Sequence, residues 1–135
     1  MATVQVRYIV NDVDAAIQFY CKLLDFKELM HPAPAFAMLS RGDLRLVLSA
    51  PNPGPGGGHS LSDGTKPHPG GWNRFAIQVT DLAATVQRLR TAGVHFRNEI
   101  VTGVGVKQIL AEDPSGNPVE LFEPILDEAR LKPQT

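Results

Sequence analysis

The chain repeats one pattern twice, with a spacing of 69 residues (81 − 12 = 69). Val4 to Val10 alternates apolar and polar residues and runs into Asn11-Asp12. Val13, Ala16, Ile17, Tyr20 and Leu24 then recur at helical spacing. Trp72 to Val79 alternates in the same way and runs into Thr80-Asp81, followed by Leu82, Val86 and Leu89 and then Gly93. A period of two predicts a strand and a period near 3.6 predicts a helix. Asp12 and Asp81 stand where N-caps belong, and Gly93 stands at a helix C′ position. Three strand-like runs follow each helix: Phe26–Met30, Phe36–Ser40 and Leu44–Ser49 in the first half, Val94–Ile100, Val106–Glu112 and Val119–Glu123 in the second. Each half therefore reads β-α-β-β-β. Two copies at so long a period indicate a duplicated module, not a solenoid.

The halves are joined by Pro51 to Gly71, PNPGPGGGHSLSDGTKPHPGG. Glycine and proline at this density cannot hold helix or strand. A loop this long is either a plain linker or a flap over a ligand, and the sequence leaves both open.

Composition is that of an ordinary soluble globular chain, with 43% hydrophobic residues, 20% charged residues and a net charge of −1. No basic excess argues for nucleic acid and no polybasic run for a membrane surface. Nothing approaches the roughly 18 continuous apolar residues of a membrane span. The N-terminal stretch reaches Arg7 and Asp12 before a signal-peptide core could form. The single Cys21 excludes an intrachain disulfide and suits a reducing compartment, so a cytoplasmic protein is expected. Cys21 falls in the helical apolar pattern, where a buried, inert thiol is expected.

Function points first to Glu112–Pro124, EDPSGNPVELFEP. Asp113 to Pro118 is turn chemistry: Pro114 presets φ, Gly116 or Asn117 can take positive φ, and Pro118 can open a strand. In that strand Val119, Leu121 and Glu123 share one face, and Glu120 and Phe122 the other. A carboxylate among core residues is costly to bury unless something pairs with it. Alternation sorts the other strands as well. Val4, Val6, Tyr8 and Val10 oppose Gln5, Arg7 and Ile9, while Leu44, Leu46 and Leu48 oppose Arg45, Val47 and Ser49. Phe75, Ile77 and Val79 oppose Trp72, Arg74, Ala76 and Gln78. The apolar faces must pack on the two helices. The opposite faces supply the candidate ligand-binding residues Gln5, Arg7, Arg45, Val47, Ser49, Trp72, Arg74, Gln78, Glu120 and Phe122.

The paired modules, the helix start Asp12-Val13-Asp14-Ala15-Ala16-Ile17-Gln18-Phe19-Tyr20 and the Asp113 to Phe122 segment resemble the vicinal oxygen chelate (VOC) superfamily. That superfamily includes glyoxalase I, extradiol dioxygenases, and fosfomycin- and bleomycin-resistance proteins. The resemblance covers about residues 3–124. It implies an α+β fold of two βαβββ modules whose curved mixed sheets form a cup. The expected organisation is one domain over 1–125 (module 1 about 3–50, linker 51–71, module 2 about 72–124) and a tail over 126–135. The resemblance also implies a homodimer, which half-cups and open sheet edges favour. Metal-dependent members take ligands from the first and fourth strands of each module, at positions held here by Gln5, Val47, Arg74 and Glu120. Gln5 and Glu120 could ligate a hard divalent ion, but Val47 has no donor and Arg74 is a fixed cation. An Arg74–Glu120 ion pair in place of the metal is the expectation. His31, His59, His68 and His95 show no tight ligand spacing and are expected at the surface. Gly54–Gly58 lacks the Lys-Ser/Thr of a phosphate loop, and no serine has a His-Asp pattern.

Three functions stay open. The first is a binding protein that sequesters a small aromatic or anionic metabolite or antibiotic without metal. Trp72 and Phe122 would stack on the ligand, and three arginines against one glutamate (3 − 1 = 2) would favour an anion. The second is a lyase, isomerase or dioxygenase with Zn, Ni, Mn or Fe on Gln5 and Glu120. The third is metal-free acid/base catalysis by Glu120 with Arg74 as electrophile, although an adjacent guanidinium weakens a carboxylate as a base.

Overall fold

The computed structural model describes residues 4–52 and 56–132. It falls into two compact units. One holds the described residues up to Gly71 together with Pro114–Asn117. The other holds Trp72–Asp113 and the described residues from Pro118 onward.

In the first unit, β1 (Gln5–Ile9), α1 (Val13–Gln18), β2 (Lys27–Ala33), β3 (Phe36–Arg41) and β4 (Leu44–Ser49) follow in order. The sheet order is β1-β4-β3-β2, with β1 parallel to β4 and the remaining pairs antiparallel. The second unit repeats this with β5 (Ala76–Gln78), α2 (Leu82–Thr91), β6 (Val101–Thr102), β7 (Val106–Glu112) and β8 (Pro118–Pro124), ordered β5-β8-β7-β6. The element order is the one the repeat predicted, and the two mixed four-stranded sheets are those the family resemblance implied.

Local chemistry accounts for the helix ends. Asp12 accepts from Ala15 N–H and Asp81 from Ala84 N–H, each at 3.0 Å. Glu123 Oε1 accepts a further orphan donor of α2, the Leu82 N–H, at 2.8 Å. At the other end of α2, Val94 N–H bonds Leu89 O and Gly93 N–H bonds Arg90 O, a Schellman closure with Gly93 at φ +89°. The first helix ends differently. It widens into a π-turn over Phe19–Leu23, and Asp25 takes the left-handed position at φ +61°. The extra residue of a π-turn shifts the apolar face back by one position. Phe19 and Tyr20, neighbours in sequence, are accordingly both buried and meet edge-to-face at 4.9 Å. Cys21 lies in this turn and is half-buried, less covered than the helical pattern implied. Burial, and secondarily Glu28, push its thiol pKa up.

The cores lie between helix and sheet. Val13, Ala16 and Ile17 are buried with Tyr8, Leu39, Leu46 and Leu48, and α1 packs on β3 and β4. Leu82, Val86 and Leu89 are buried with Ile77, Ile109, Val119 and Leu121, and α2 packs on β8.

Three strands depart from expectation. β2 continues past Met30 through His31 and Pro32, with shifts in register, because it is an edge strand and tolerates a residue without an N–H. β5 contracts from the expected Trp72–Val79 to Ala76–Gln78. Its register with β8 pairs Ala76 with Glu120, so Arg74 would face Pro118, which has no donor, and Trp72 would face the turn. The expected strand Val94–Ile100 is a single bridge, Phe96 to Ala111. Asn98 Oδ1 accepts the Leu110 N–H at 2.9 Å in place of a backbone carbonyl, which ends the ladder there. Pairing resumes only at Val101–Thr102.

Candidate functional site

In the second unit Glu120 sits on β8 between the buried Val119 and Leu121, facing away from the helix. Arg74 meets it: Nε donates to Glu120 Oε1 at 3.1 Å and Nη2 to the same oxygen at 2.9 Å. Arg74 Nη1 donates to the Trp72 carbonyl at 3.1 Å. The expected pair is thus present and only partly buried, with side-chain exposures of 31% and 18%. It resolves the cost of placing a carboxylate in that strand.

Beside it lies a second pair that the sequence reading missed. Arg97 Nε donates to Glu112 Oε2 at 2.7 Å, and His95 Nε2 is 3.7 Å from Glu112 Oε1. The Arg97 guanidinium lies 4.7 Å from the centre of the Trp72 ring. The signal was available in part: Val106, Gln108, Leu110 and Glu112 alternate, and Leu110 pairs with Glu120 across the hairpin. Arg97 was hidden because alternation does not give the register of residues 94–100 against 106–112.

The remaining predicted residues of this unit are placed unevenly. Phe122 is buried and paired in register with Gln78 and Gln108. Gln78 Oε1 accepts the Leu131 N–H at 2.6 Å, so the tail engages it. Trp72 lies outside β5 and is 68% exposed. The tail forms a short 3-10 turn, Asp127–Ala129, and is anchored where the Ile125 and Leu126 N–H groups donate to Gly105 O. Pro133 and the two residues after it in the expected tail lie outside the described residues.

In the first unit Gln5 and Arg7 are exposed on β1, and in register they face Arg45 and Val47 of β4. Arg45 Nη1 turns back to Gly42 O at 3.3 Å. Among the described residues neither Arg7 nor Arg45 is in an ion pair. Val47 and Ser49 are buried, and among the described residues Ser49 Oγ has no hydrogen-bond partner. Gly57 lies against the Arg7 guanidinium so closely that a Cβ there would overlap it, and Gly58 lies equally close to the Ala50 carbonyl. Gly58 is therefore needed for close approach to backbone, whereas the exposed Arg7 side chain can move aside for a Cβ at residue 57. Asn52 N–H bonds Gly58 O at 3.1 Å, and Asp63 is held below the usual carboxylate range by hydrogen bonds from Thr65. Pro53–Pro55 lie outside the described residues. Asn117 is buried, accepting from Gly70 N–H at 2.7 Å and donating to Ile9 O at 2.8 Å.

The positions that the family resemblance assigns to a metal do not fit one. Val47 offers no donor atom, and Glu120 Oε1 already accepts two guanidinium N–H groups. Among the described residues no three His, Cys, Asp or Glu side chains are grouped to hold an ion. His59, His68 and His95 are exposed, as expected of surface histidines, while His31 is half-buried 3.7 Å from Asp14. Two surface grooves run beside α2, of about 550 and about 380 Å³. Neither contains a residue chosen from the sequence, and the smaller passes His95 and Arg97.

Residues 3–121 match the family model of the Glyoxalase/Bleomycin resistance protein/Dioxygenase superfamily. The chain belongs to this superfamily. Solved structures of the superfamily fold agree. A superfamily member from Sphaerobacter thermophilus DSM 20745 is 22% identical, with 91% of this chain and 97% of that one covered and a TM-score of 0.72. TnmS3, an antibiotic binding protein from Streptomyces sp. CB03234, is 22% identical over 92% and 96% of the two chains, with a TM-score of 0.68. Lactoylglutathione lyase from Agrobacterium tumefaciens is 20% identical over 90% and 92%, with a TM-score of 0.67. No curated protein matches. At these identities the likeness is one of fold, which the superfamily uses for both binding and catalysis. Among the described residues no helix is long and apolar enough to cross a membrane.

Proposed function

We propose that this superfamily member is a small-molecule-binding protein that works without a metal and favours planar, anionic ligands. The observation that carries the reading is the Arg74–Glu120 pair, which puts a fixed cation where the metal-dependent members have a ligand. Arg7, without a carboxylate partner among the described residues, offers its charge to an anion, while the exposed Trp72 offers a stacking surface. Gln5 and Arg45 are the further proposed contacts of the first unit and Gln78 that of the second, while Val47, Ser49 and Phe122 are buried in their own sheets. An antibiotic-binding protein on the same fold, TnmS3, is compatible with such a role.

Elemental analysis of protein purified without a histidine tag tests the metal-free part. Zn, Ni, Mn and Fe should each be well below stoichiometric, and calorimetric binding of planar aromatic acids should be unchanged by adding these ions. A stoichiometric metal that Glu120→Ala removes would overturn the reading in favour of a metal enzyme.

The proposal includes a homodimer, since β2 is an edge strand that exposes Leu29 and Met30. Sedimentation at micromolar concentration should give twice the 14.7-kDa chain mass. A clean monomer would remove that part alone.

A further inference from the structure

Trp72 is a large aromatic side chain outside any strand, exposed to solvent, and yet held from two directions. Its carbonyl accepts from Arg74, which is fixed by Glu120. Its ring rests on the guanidinium of Arg97, 4.7 Å from the ring centre, and Arg97 is fixed in turn by Glu112 at 2.7 Å. Arg97 and Glu112 are well covered, at 15% and 22% side-chain exposure, whereas the residue they support is not. One Arg–Glu pair thus holds the main chain of Trp72 and a second holds its exposed indole, in a region where the backbone ladder has not begun. Fixing an aromatic side chain before a ligand arrives lowers the ordering cost of binding.

The cation beneath the ring also sets what can stack on it. A guanidinium over one face of an indole draws on its π-density, so the opposite face is less negative than in a free indole. Such a face accepts an electron-rich or anionic ring and disfavours a cationic one. We propose that Trp72, backed by Arg97 and Glu112, is a subsite for a planar, electron-rich aromatic anion, with Arg97 the residue that sets specificity. This rests on the small-molecule-binding reading above and names the class of ligand it takes.

Because Trp72 is the sole tryptophan, its fluorescence reports this subsite directly. Two probes of similar shape and opposite charge separate the outcomes: 2-naphthoate and N-methylquinolinium. The parent should bind 2-naphthoate more tightly, and Arg97→Gln should reduce that preference by about three- to ten-fold. Arg97→Gln combined with Glu112→Gln leaves no stranded carboxylate and should show the same loss. Arg97→Lys, which keeps the charge but not the planar fork, should keep part of the preference. Without any ligand, iodide should quench Trp72 better than caesium in the parent, and Arg97→Gln should narrow that difference. If 2-naphthoate binds the parent but the preference and the quenching are unmoved in both the single and the double variant, the Arg97 role is wrong and binding stands. If neither probe binds the parent, while calorimetry with other aromatic acids shows binding, the subsite is not at Trp72. Failure of every aromatic acid removes the binding reading itself.

Discussion

In the first module Arg7 and Arg45 lie on the sheet face away from the helix and meet no carboxylate among the described residues. In the second module Arg74 and Arg97 each meet one, Glu120 and Glu112. The skeletons are otherwise the same: a capped helix over a mixed four-stranded sheet with a parallel first-to-fourth strand pair. A duplicated module conserves the pattern that packs its core, because each helix-facing position is constrained by volume. The other face is constrained at fewer positions, Val47, Ser49 and Phe122 being buried there, and its exposed positions are free to diverge. The contrast separates two uses of one residue type. An arginine locked on a glutamate holds geometry, whereas one without a carboxylate keeps its charge available to a ligand.

The largest expected effect breaks that contrast or confirms it. Arg74→Ala leaves Glu120 partly buried without its donor and the Trp72 carbonyl without its anchor. The pair is only partly covered, so the loss should fall below that of a fully buried pair, at about 1–3 kcal/mol. Arg7→Ala and Arg45→Ala should change stability by no more than about 0.5 kcal/mol, yet weaken an anionic ligand. Urea denaturation of the three variants measures the first part and calorimetry with an aromatic acid the second. Equal stabilities for all three would mean that the second module's pairs are surface decoration, and the division between the modules would fall.

What could be read from the sequence divides along the same line. The helix-facing residues were legible because periodicity reports burial: Tyr8, Leu46 and Leu48 in one module and Ile77, Val119 and Leu121 in the other are all in the core. The caps Asp12, Asp81 and Gly93 were legible because each supplies a group or a conformation that the helix end requires. Glu120 stood out as a lone charge in an apolar strand, and the candidate partner came from the family pattern. Arg97 and Glu112 were not legible. They meet across the single Phe96–Ala111 bridge, and alternation along one segment does not give the register that brings them together. Nor did alternation reveal that β5 would begin only at Ala76. That boundary is set by Pro118 on the neighbouring strand, a non-local fact about donors. Trp72 was read as a strand residue, but it lies outside β5 and is contacted by Arg74 and Arg97 instead.

A smaller effect sharpens the comparison at the helix ends, where the modules solve one problem with different residues. Both modules turn left-handed after the helix: Gly93 does so at φ +89° and Asp25 at φ +61°. A Cβ at Gly93 would meet nothing within 4 Å, so the cost of Gly93→Ala is purely one of backbone conformation, about 1–2 kcal/mol. Asp25 already bears the left-handed conformation, which aspartate tolerates better than most residues. Replacing it with glycine relieves that strain but adds freedom to the unfolded chain, worth about 0.4–1 kcal/mol in the opposite direction. The two terms nearly cancel, so Asp25→Gly should be close to neutral while Gly93→Ala is plainly destabilising. Urea midpoints at unchanged m-value decide it. If Asp25→Gly costs as much as Gly93→Ala, the aspartate carboxylate contributes to closing the π-turn, and the first module's helix end depends on a side chain where the second's depends on backbone alone.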